Sequence, residues 1–207
     1  MTVAATVFER YSWHRERFAG AALRFRHTFA RVAATAVWAV VLAAGASSRF
    51  GSPKQRVLLE PVLERVRRSS VDGVVVVAGA HEIDTSATVV PCPDWERGPG
   101  ASLRCGLEAL PPRAEAAVVV LGDGPNLAPE AVDRVIAAWH DQGAEVVAAT
   151  YAGVRLHPVL LARGAWARVP DEGAKSLPAL LIPCDDLEPP GDVDRPAELP
   201  KDLERRA

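Results

Sequence analysis

The sequence has little of what marks a disulfide-stabilised or metal-cluster protein, because it holds 3 cysteines in 207 residues. Cys92, Cys105 and Cys184 form no C-x-x-C pair and have no histidine at metal-ligand spacing. We therefore expect reduced, mostly buried thiols, which are typical of cytoplasmic proteins. Neither a disulfide framework nor a zinc site is expected to organise the fold.

A surplus of charge of one sign is also missing, since 24 basic residues stand against 26 acidic ones. Without a positive field, nucleic acid is not expected as a partner. Long apolar runs are absent too. The longest lies between Arg31 and Arg49 and is shorter than the roughly 18 uncharged residues of a membrane helix. We expect a cytoplasmic protein with no membrane partner.

What the sequence does have is an alternation of apolar runs with segments of helical spacing. The runs are short and rich in β-branched residues, as strands covered on both faces require. The last helical segment begins at Pro129 and ends at Gly143. This order predicts an α/β fold with a mainly parallel sheet and helices on both faces. The predicted strands are 37–43, 74–78, 117–121 and 145–150, and the predicted helices are 57–68, 101–110 and 129–142.

Residues 1–34 stand outside this pattern, because they are rich in arginine and contain no acidic residue other than Glu9 and Glu16. We assign residues 1–34 as an N-terminal extension and residues 35–207 as the domain. Three interpretations of the extension remain open: a poorly ordered or loosely helical arm, a transit or signal segment, and an amphipathic helix that docks on a partner.

Residues 32–55, VAATAVWAVVLAAGASSRFGSPKQ, allow two interpretations. The run is typical of a secretory signal cut near Ala46, and also of a buried strand that enters a phosphate-binding loop. Arg49 and Lys54 favour the loop, because they add positive charge against a triphosphate and a signal peptide has no use for them. Gly45 is expected to adopt φ > 0 and to point successive backbone N–H groups inward.

Acidic residues at two further places suit a metal ion. Asp123 follows an apolar strand, at the edge where an α/β sheet binds its ligand, although a helix cap or turn residue is the alternative. Asp192 and Asp194 in GDVDRP form a second carboxylate pair. Two carboxylates that hold one Mg²⁺ against a triphosphate are what attack at an α-phosphorus needs.

One pair of residues suggests anion binding, and one histidine allows two interpretations. Ser102 and Arg104 lie at the start of a helix after the glycine-rich GPGAS, where the helix N-terminus attracts anions. His157 precedes Pro158, which favours an extended backbone. A structural histidine is the alternative to a ligand-binding one.

The stretch LAAGASSRFGSPKQ resembles the L-A-A-G-x-S-x-R-[MF]-G-x-x-K signature of the nucleotidyltransferases related to molybdenum cofactor cytidylyltransferase and to the guanylyltransferase of the same pathway. PDWERGPGASLRCGLEAL, VVVLGDGPNLAPEAVDRVI, RLHPVLL, DEGAKSL and GDVDRPAEL are similar to further segments of that family, so the resemblance covers about residues 36–203. It implies a Rossmann-like nucleotidyltransferase fold that binds a nucleoside triphosphate at the carboxyl ends of the first strands.

The resemblance also implies roles for the matching residues. It implies catalysis by Arg49, Lys54 and Asp123, and binding of Mg²⁺ by Asp123, Asp194 and Asp192. Acceptor binding is implied for His157, Lys175 and Arg104. The implied nucleotide-binding residues are Leu42, Ala43, Ala44, Gly45, Ala46, Ser47, Ser48, Arg49, Lys54 and Ser102.

The implied activity is Mg²⁺-dependent transfer of a nucleoside monophosphate to a phosphorylated acceptor, molybdopterin or a related molybdenum cofactor, with release of pyrophosphate. A molybdoenzyme is a further candidate partner. CTP is favoured over GTP because Ala44 replaces a glycine of the guanylyltransferases, and its methyl group is expected to narrow the base pocket. The alternatives are a non-catalytic accessory protein for molybdoenzyme maturation and transfer to a sugar or alcohol phosphate.

Several residues depart from the family pattern. Gly124 replaces a glutamine or methionine, Cys92 replaces the asparagine of NPDW, and Lys175 replaces an arginine, which reduces a bidentate fork to a point charge. The segment AGAHEIDTSATVV leaves no room for a full helix. These differences bear on the identity of the substrates.

Overall fold

The computed structural model describes residues 36–203. The predictions for residues 1–34 and for a domain boundary near Thr35 lie outside the described residues. No helix within the described range is both long and apolar enough to cross a membrane.

The described chain forms one sheet of seven strands with three α-helices. The sheet order is β3-β2-β1-β4-β6-β5-β7, and β6 alone among these strands runs antiparallel to its neighbours, β4 and β5. The mainly parallel sheet predicted from the sequence is thus confirmed. The strands are β1 (Ala36–Leu42), β2 (Gly73–Ala78), β3 (Thr88–Pro91), β4 (Ala114–Leu121), β5 (Val146–Tyr151), β6 (Val154–Ala162) and β7 (Leu180–Pro183).

The helices cover both faces of the sheet, as the sequence predicts. They are α1 (Gln55–Arg67), α2 (Pro99–Glu108) and α3 (Pro129–Gln142), and Gly143 caps the C-terminus of α3. Apolar residues of α1 and α3 pack with one face of the strands, including Leu63, Val118 and Val135. Apolar residues of α2 pack with the other face of the sheet, where Leu103 of α2 and Val40 of β1 share one cluster. Burial of these side chains is the main favourable contribution to the stability of such a sandwich.

A third apolar cluster attaches the C-terminal segment, residues 188–203, to the carboxyl edge of the sheet. Val193, Leu199 and Leu203 pack with Phe50, in the loop before α1, and with Val57 and Leu58 in the first turn of α1. Two backbone hydrogen bonds reinforce the contact: Asn126 N donates to Pro190 O at 3.0 Å, and Val193 N donates to Asp123 O at 3.2 Å. The segment is therefore fixed beside the loop that follows β4.

The prediction of three reduced thiols is wrong for two of them. Cys92 and Cys105 form a disulfide across a Cα–Cα distance of 5.8 Å, because the second turn of α2 brings Cys105 back over the end of β3. This distance lies within the range that disulfides span. Cys184 is a free thiol and is buried, as predicted.

Candidate active site

A cavity of about 630 Å³ opens at the carboxyl edge of β1 and β4. The sheet order places these two strands side by side, so the loops that follow them meet there. The cavity is lined by Leu42, Ala43, Gly45, Ala46, Ser47, Ser48, Arg49, Lys54, Gln55, Pro99, Leu121, Gly122, Asp123, Lys175, Asp192 and Asp194. Most of the residues implied by the resemblance therefore share one space.

The loop after β1 turns at a different residue from the one expected. Ser47 has φ 55° and Gly51 has φ 80°, whereas Gly45 is not in the left-handed region. Ser47 tolerates this conformation because its side chain is anchored: Oγ donates to Gln55 Oε1 at 3.0 Å and accepts from Lys54 N at 3.4 Å. The prediction of a left-handed Gly45 is thus wrong.

Gly45 serves the site in another way. A Cβ atom at Gly45 would meet no protein atom within 4 Å, so neither packing nor backbone strain requires glycine at this position. Gly45 lines the cavity, and the missing side chain leaves its backbone open to a bound group. Close approach to a phosphate is a common use of such a glycine.

Ala44 does not line this cavity. It is buried in the core cluster that includes α2, and a Cβ atom built on Gly79 would lie 2.8 Å from its methyl carbon. The methyl group therefore points toward β2 and its loop. Its position gives no support to the steric argument for CTP over GTP.

Gln55 lines the cavity and was not predicted as a site residue. It is buried, with 8% of its surface exposed. Its Nε2 donates to Ala43 O at 3.1 Å and to Gly45 O at 2.8 Å, while its Oε1 accepts from Ser47. The Gln55 amide thus holds Ala43, Gly45 and Ser47 in place within the loop of residues 43–54, which we call the phosphate loop. The available signal was a polar residue directly after Lys54, at the first position of an otherwise apolar helix face.

Lys54 joins the phosphate loop to the acidic side of the cavity. Its Nζ lies 2.8 Å from Asp123 Oδ2 and 3.4 Å from Asp194 Oδ1, and it donates to Val193 O at 2.9 Å. Partial burial lowers the pKa of Lys54, but hydrogen bonds and attraction to Asp123 and Asp194 outweigh this effect, so the net result is a raised pKa. The ammonium therefore stays charged at neutral pH.

The acidic side of the cavity holds three carboxylates. Arg49 Nη1 lies 2.7 Å from Asp194 Oδ2, with 68% of the arginine side chain exposed. Burial of the carboxylate raises the pKa of Asp192, and repulsion from Asp123 and Asp194 raises it further. A cation placed among these groups would relieve that repulsion.

The residues present fit a divalent metal ion. Asp123 Oδ1 is buried and has no hydrogen-bond partner in the described part of the protein, which is costly for an anionic oxygen unless a cation reaches it. Within residues 36–203, no three His, Cys, Asp or Glu side chains group closely enough to hold a metal by themselves. A ligand set here would be completed by oxygens of phosphate and water, as is usual for Mg²⁺.

The implied acceptor-binding residues lie in different places. Lys175 lines the cavity and is exposed. Arg104 does not line it, because its guanidinium donates to Val169 O at 2.7 Å and pairs with Asp171. Ser102, predicted to bind nucleotide, is buried in α2 and also lies outside the cavity lining.

His157 lies behind the loop that carries Asp123. It borders a small space together with Gly124, Pro190 and Gly191, outside the main cavity lining. Burial lowers the pKa of His157 to about 4; attraction to Asp123 opposes this shift, and the nearby Arg155 and Lys175 add to it. The ring is therefore neutral at pH 7.

Residues 39–182 match the family described as the MobA-like NTP transferase domain. Among proteins of curated function, no match is found. Similar solved structures include Rv0371c from Mycobacterium tuberculosis H37Rv, with 30% identity over 83% of this chain and 96% of that chain and a TM-score of 0.66. The Rv0371c homologue from Mycobacterium sp. strain JC1 has 28% identity over 82% and 96%, with a TM-score of 0.67. The manganese complex of Rv0371C from M. tuberculosis H37Rv has 26% identity over 83% and 97%, with a TM-score of 0.62.

The matched range takes in the phosphate loop, Gln55 and Asp123, and it spans more than half of the chain. By this match the chain belongs to the family of MobA-like NTP transferase domains and is a nucleotidyltransferase.

Proposed function

We propose that this nucleotidyltransferase moves a nucleoside monophosphate, CMP from CTP, onto the phosphate of a molybdopterin-like acceptor and releases pyrophosphate. The observation that carries the proposal is that a positively charged surface and a negatively charged surface face each other in one cavity. A phosphate loop with Arg49 and Lys54 faces Asp123 and Asp194, one of whose oxygens is buried without a partner. Transfer of an α-phosphoryl group needs both surfaces.

The roles of the protein groups follow from their positions. The backbone of residues 45–48 and the cations of Arg49 and Lys54 bind the triphosphate. An oxygen of the acceptor phosphate attacks the α-phosphorus in line, and the bond from that phosphorus to the bridging oxygen breaks, so the electron pair leaves with pyrophosphate. No side-chain nucleophile takes part.

Asp123 and Asp194, with Asp192 beside them, are the residues that would hold Mg²⁺. When bound there, the ion supplies neutralisation of the charge that develops on the triphosphate. The unpartnered Oδ1 of Asp123 supports this assignment. So does the similarity to an Rv0371C structure that is described as a complex with manganese.

The acceptor and the base are proposed on separate grounds. Lys175 provides an exposed cation in the cavity for the acceptor phosphate, with neutral His157 behind the neighbouring loop. The molybdopterin class comes from the resemblance over residues 36–203. CTP is proposed on SSRFGSPK, which is closer to the cytidylyl pattern than to the guanylyl one.

Release of pyrophosphate from each of the four NTPs, with and without molybdopterin, tests the proposal. Glycerol phosphate and a hexose phosphate serve as alternative acceptors, and Asp123→Asn is the inactive control. We expect release that depends on Mg²⁺ and on molybdopterin and is fastest with CTP. Release that is faster with a sugar phosphate or glycerol phosphate would contradict the acceptor, and a CTP-to-GTP ratio of kcat/KM at or below one would contradict the base.

A further inference from the structure

The two metal-binding carboxylates of the proposed site are already occupied by basic side chains. Asp194 is held at both oxygens: Lys54 Nζ lies 3.4 Å from Oδ1, and Arg49 Nη1 lies 2.7 Å from Oδ2. Asp123 Oδ2 lies 2.8 Å from the same Lys54 Nζ. Of these four oxygens, only Asp123 Oδ1 has no partner in the described chain.

A divalent cation that binds here must therefore compete with two cations of the protein. The Lys54 side chain is 12% exposed, so water screens its charge little. It also donates to Val193 O, which holds it in place between the carboxylates. Repulsion between the ammonium, the guanidinium and a divalent ion lowers the affinity of the carboxylates for the metal.

A triphosphate can reverse this arrangement. Arg49 and Lys54 line the same cavity as the loop residues 45–48, where the phosphates are proposed to bind. Phosphate oxygens are strong partners for both cations, and arginine binds them in a bidentate manner. Movement of Lys54 toward the phosphates frees an oxygen of Asp123 and one of Asp194, and movement of Arg49 frees the other oxygen of Asp194.

We propose that Lys54 and Arg49 act as a latch over Asp123 and Asp194, so that a divalent cation binds tightly only together with a nucleoside triphosphate. The proposal rests on the proposed function, which places both ligands in this cavity. By thermodynamic linkage, the metal must then raise the affinity for the nucleotide by the same factor.

Binding of Mn²⁺ alone, followed by its electron paramagnetic resonance signal on the full-length protein without nucleotide, tests the latch. Lys54→Met should lower the dissociation constant for Mn²⁺ by about tenfold or more, within the usual range of coupling between two sites. Arg49→Gln, at an exposed position that leaves the core intact, should lower it by about threefold, because it frees one oxygen of Asp194.

Arg56→Gln is the control, because it removes an exposed positive charge of α1 that lies outside the cavity lining and forms no ion pair within the described chain. Its Mn²⁺ affinity should stay within about twofold of the wild-type value. Equal affinities in the wild type, Lys54→Met and Arg49→Gln would overturn the latch, and so would a gain in Arg56→Gln equal to that in Lys54→Met.

Failure of the latch can be told from failure of the proposed function. The latch alone is refuted if the wild-type protein releases pyrophosphate in a metal-dependent way but Lys54→Met shows no higher affinity for Mn²⁺. Absence of Mn²⁺ binding in every variant, together with metal-independent turnover, refutes both.

Discussion

Lys54 Nζ lies 2.8 Å from Asp123 Oδ2, so a single ion pair joins the phosphate loop after β1 to the loop after β4. The two halves of the cavity are thereby held at a fixed separation without a ligand. The pair is partly buried, so removal of one member leaves an uncompensated charge on the other.

Asp123→Asn should reduce turnover and still fold, because Lys54 keeps Asp194 as a second anionic partner at 3.4 Å. An amide removes one anionic ligand of the metal, and loss of a preorganised electrostatic group commonly lowers kcat by about 100- to 1000-fold. The measurement is metal-dependent pyrophosphate release. Glu115→Gln, an exposed change at the opposite end of β4, is the control. Unchanged turnover in Asp123→Asn would remove this residue from the mechanism.

Gln55→Leu should loosen the phosphate loop. The change keeps the volume but leaves Ala43 O and Gly45 O without their shared donor, which should lower the free energy of unfolding by about 1–3 kcal/mol. The dissociation constant for the triphosphate should rise, since the loop amides lose their alignment. Chemical denaturation measures the free energy of unfolding, and calorimetry with CTP measures the dissociation constant. Arg56→Leu, an exposed change at the next position of α1, should alter neither.

The cysteines should react in a two-step pattern. Alkylation of the denatured, unreduced protein should label Cys184 alone, and alkylation after reduction should label all 3 cysteines. Cys105→Ser should lower the free energy of unfolding by about 2–3 kcal/mol, because a bridge over 13 residues restricts the unfolded chain. Mass spectrometry counts the labels. Three labels before reduction would show that Cys92 and Cys105 are free.

The neutral state of His157 should make the protein sensitive to acid. The pKa of about 4 in the folded protein is below the usual 6.5, so between these values the unfolded chain binds more protons. Stability from this group is complete above pH 6.5 and falls as the pH is lowered to 4, by at most about 3 kcal/mol. His157→Gln should show a shallower loss in urea titrations over this range. Identical pH dependence in both proteins would contradict the prediction.

Removal of residues 1–34 should leave a folded protein that binds nucleotide. The predicted α/β pattern begins after them, and no residue assigned to the site lies among them. Solubility, the thermal unfolding midpoint and the dissociation constant for CTP should match those of the full chain. Loss of folding or of CTP binding on deletion would place these residues within the domain.

Sequence patterns revealed the strands that are buried on both faces and missed the others. β1, β2, β4 and β5 are apolar runs, which is the signature of a covered parallel strand. β6 contains Arg155, His157 and Pro158 in its first half, and its antiparallel insertion depends on pairing with distant strands. β3 and β7 span four residues each at the edges of the sheet, too few to show a period.

The site was predictable wherever a short motif carries it. The loop with Arg49 and Lys54, and Asp123 at the end of a strand, can be recognised from local sequence. Gln55 was signalled only weakly, by a polar residue directly after Lys54, because its role depends on carbonyl groups that the loop directs toward it. The disulfide was missed for a similar reason, since the spacing of Cys92 and Cys105 does not reveal that α2 packs beside the end of β3.

The C-terminal segment makes the site depend on residues far apart in the order of synthesis. On the ribosome, at about 5–20 residues per second, the phosphate loop is made several seconds before Asp192 and Asp194. Until Val193 docks on Phe50 and Leu58, a nascent chain has the basic half of the cavity without two of its acids. With the proposed roles of Asp192 and Asp194, such incomplete chains should hold triphosphates without transferring them, and turnover should begin only after translation has passed this segment.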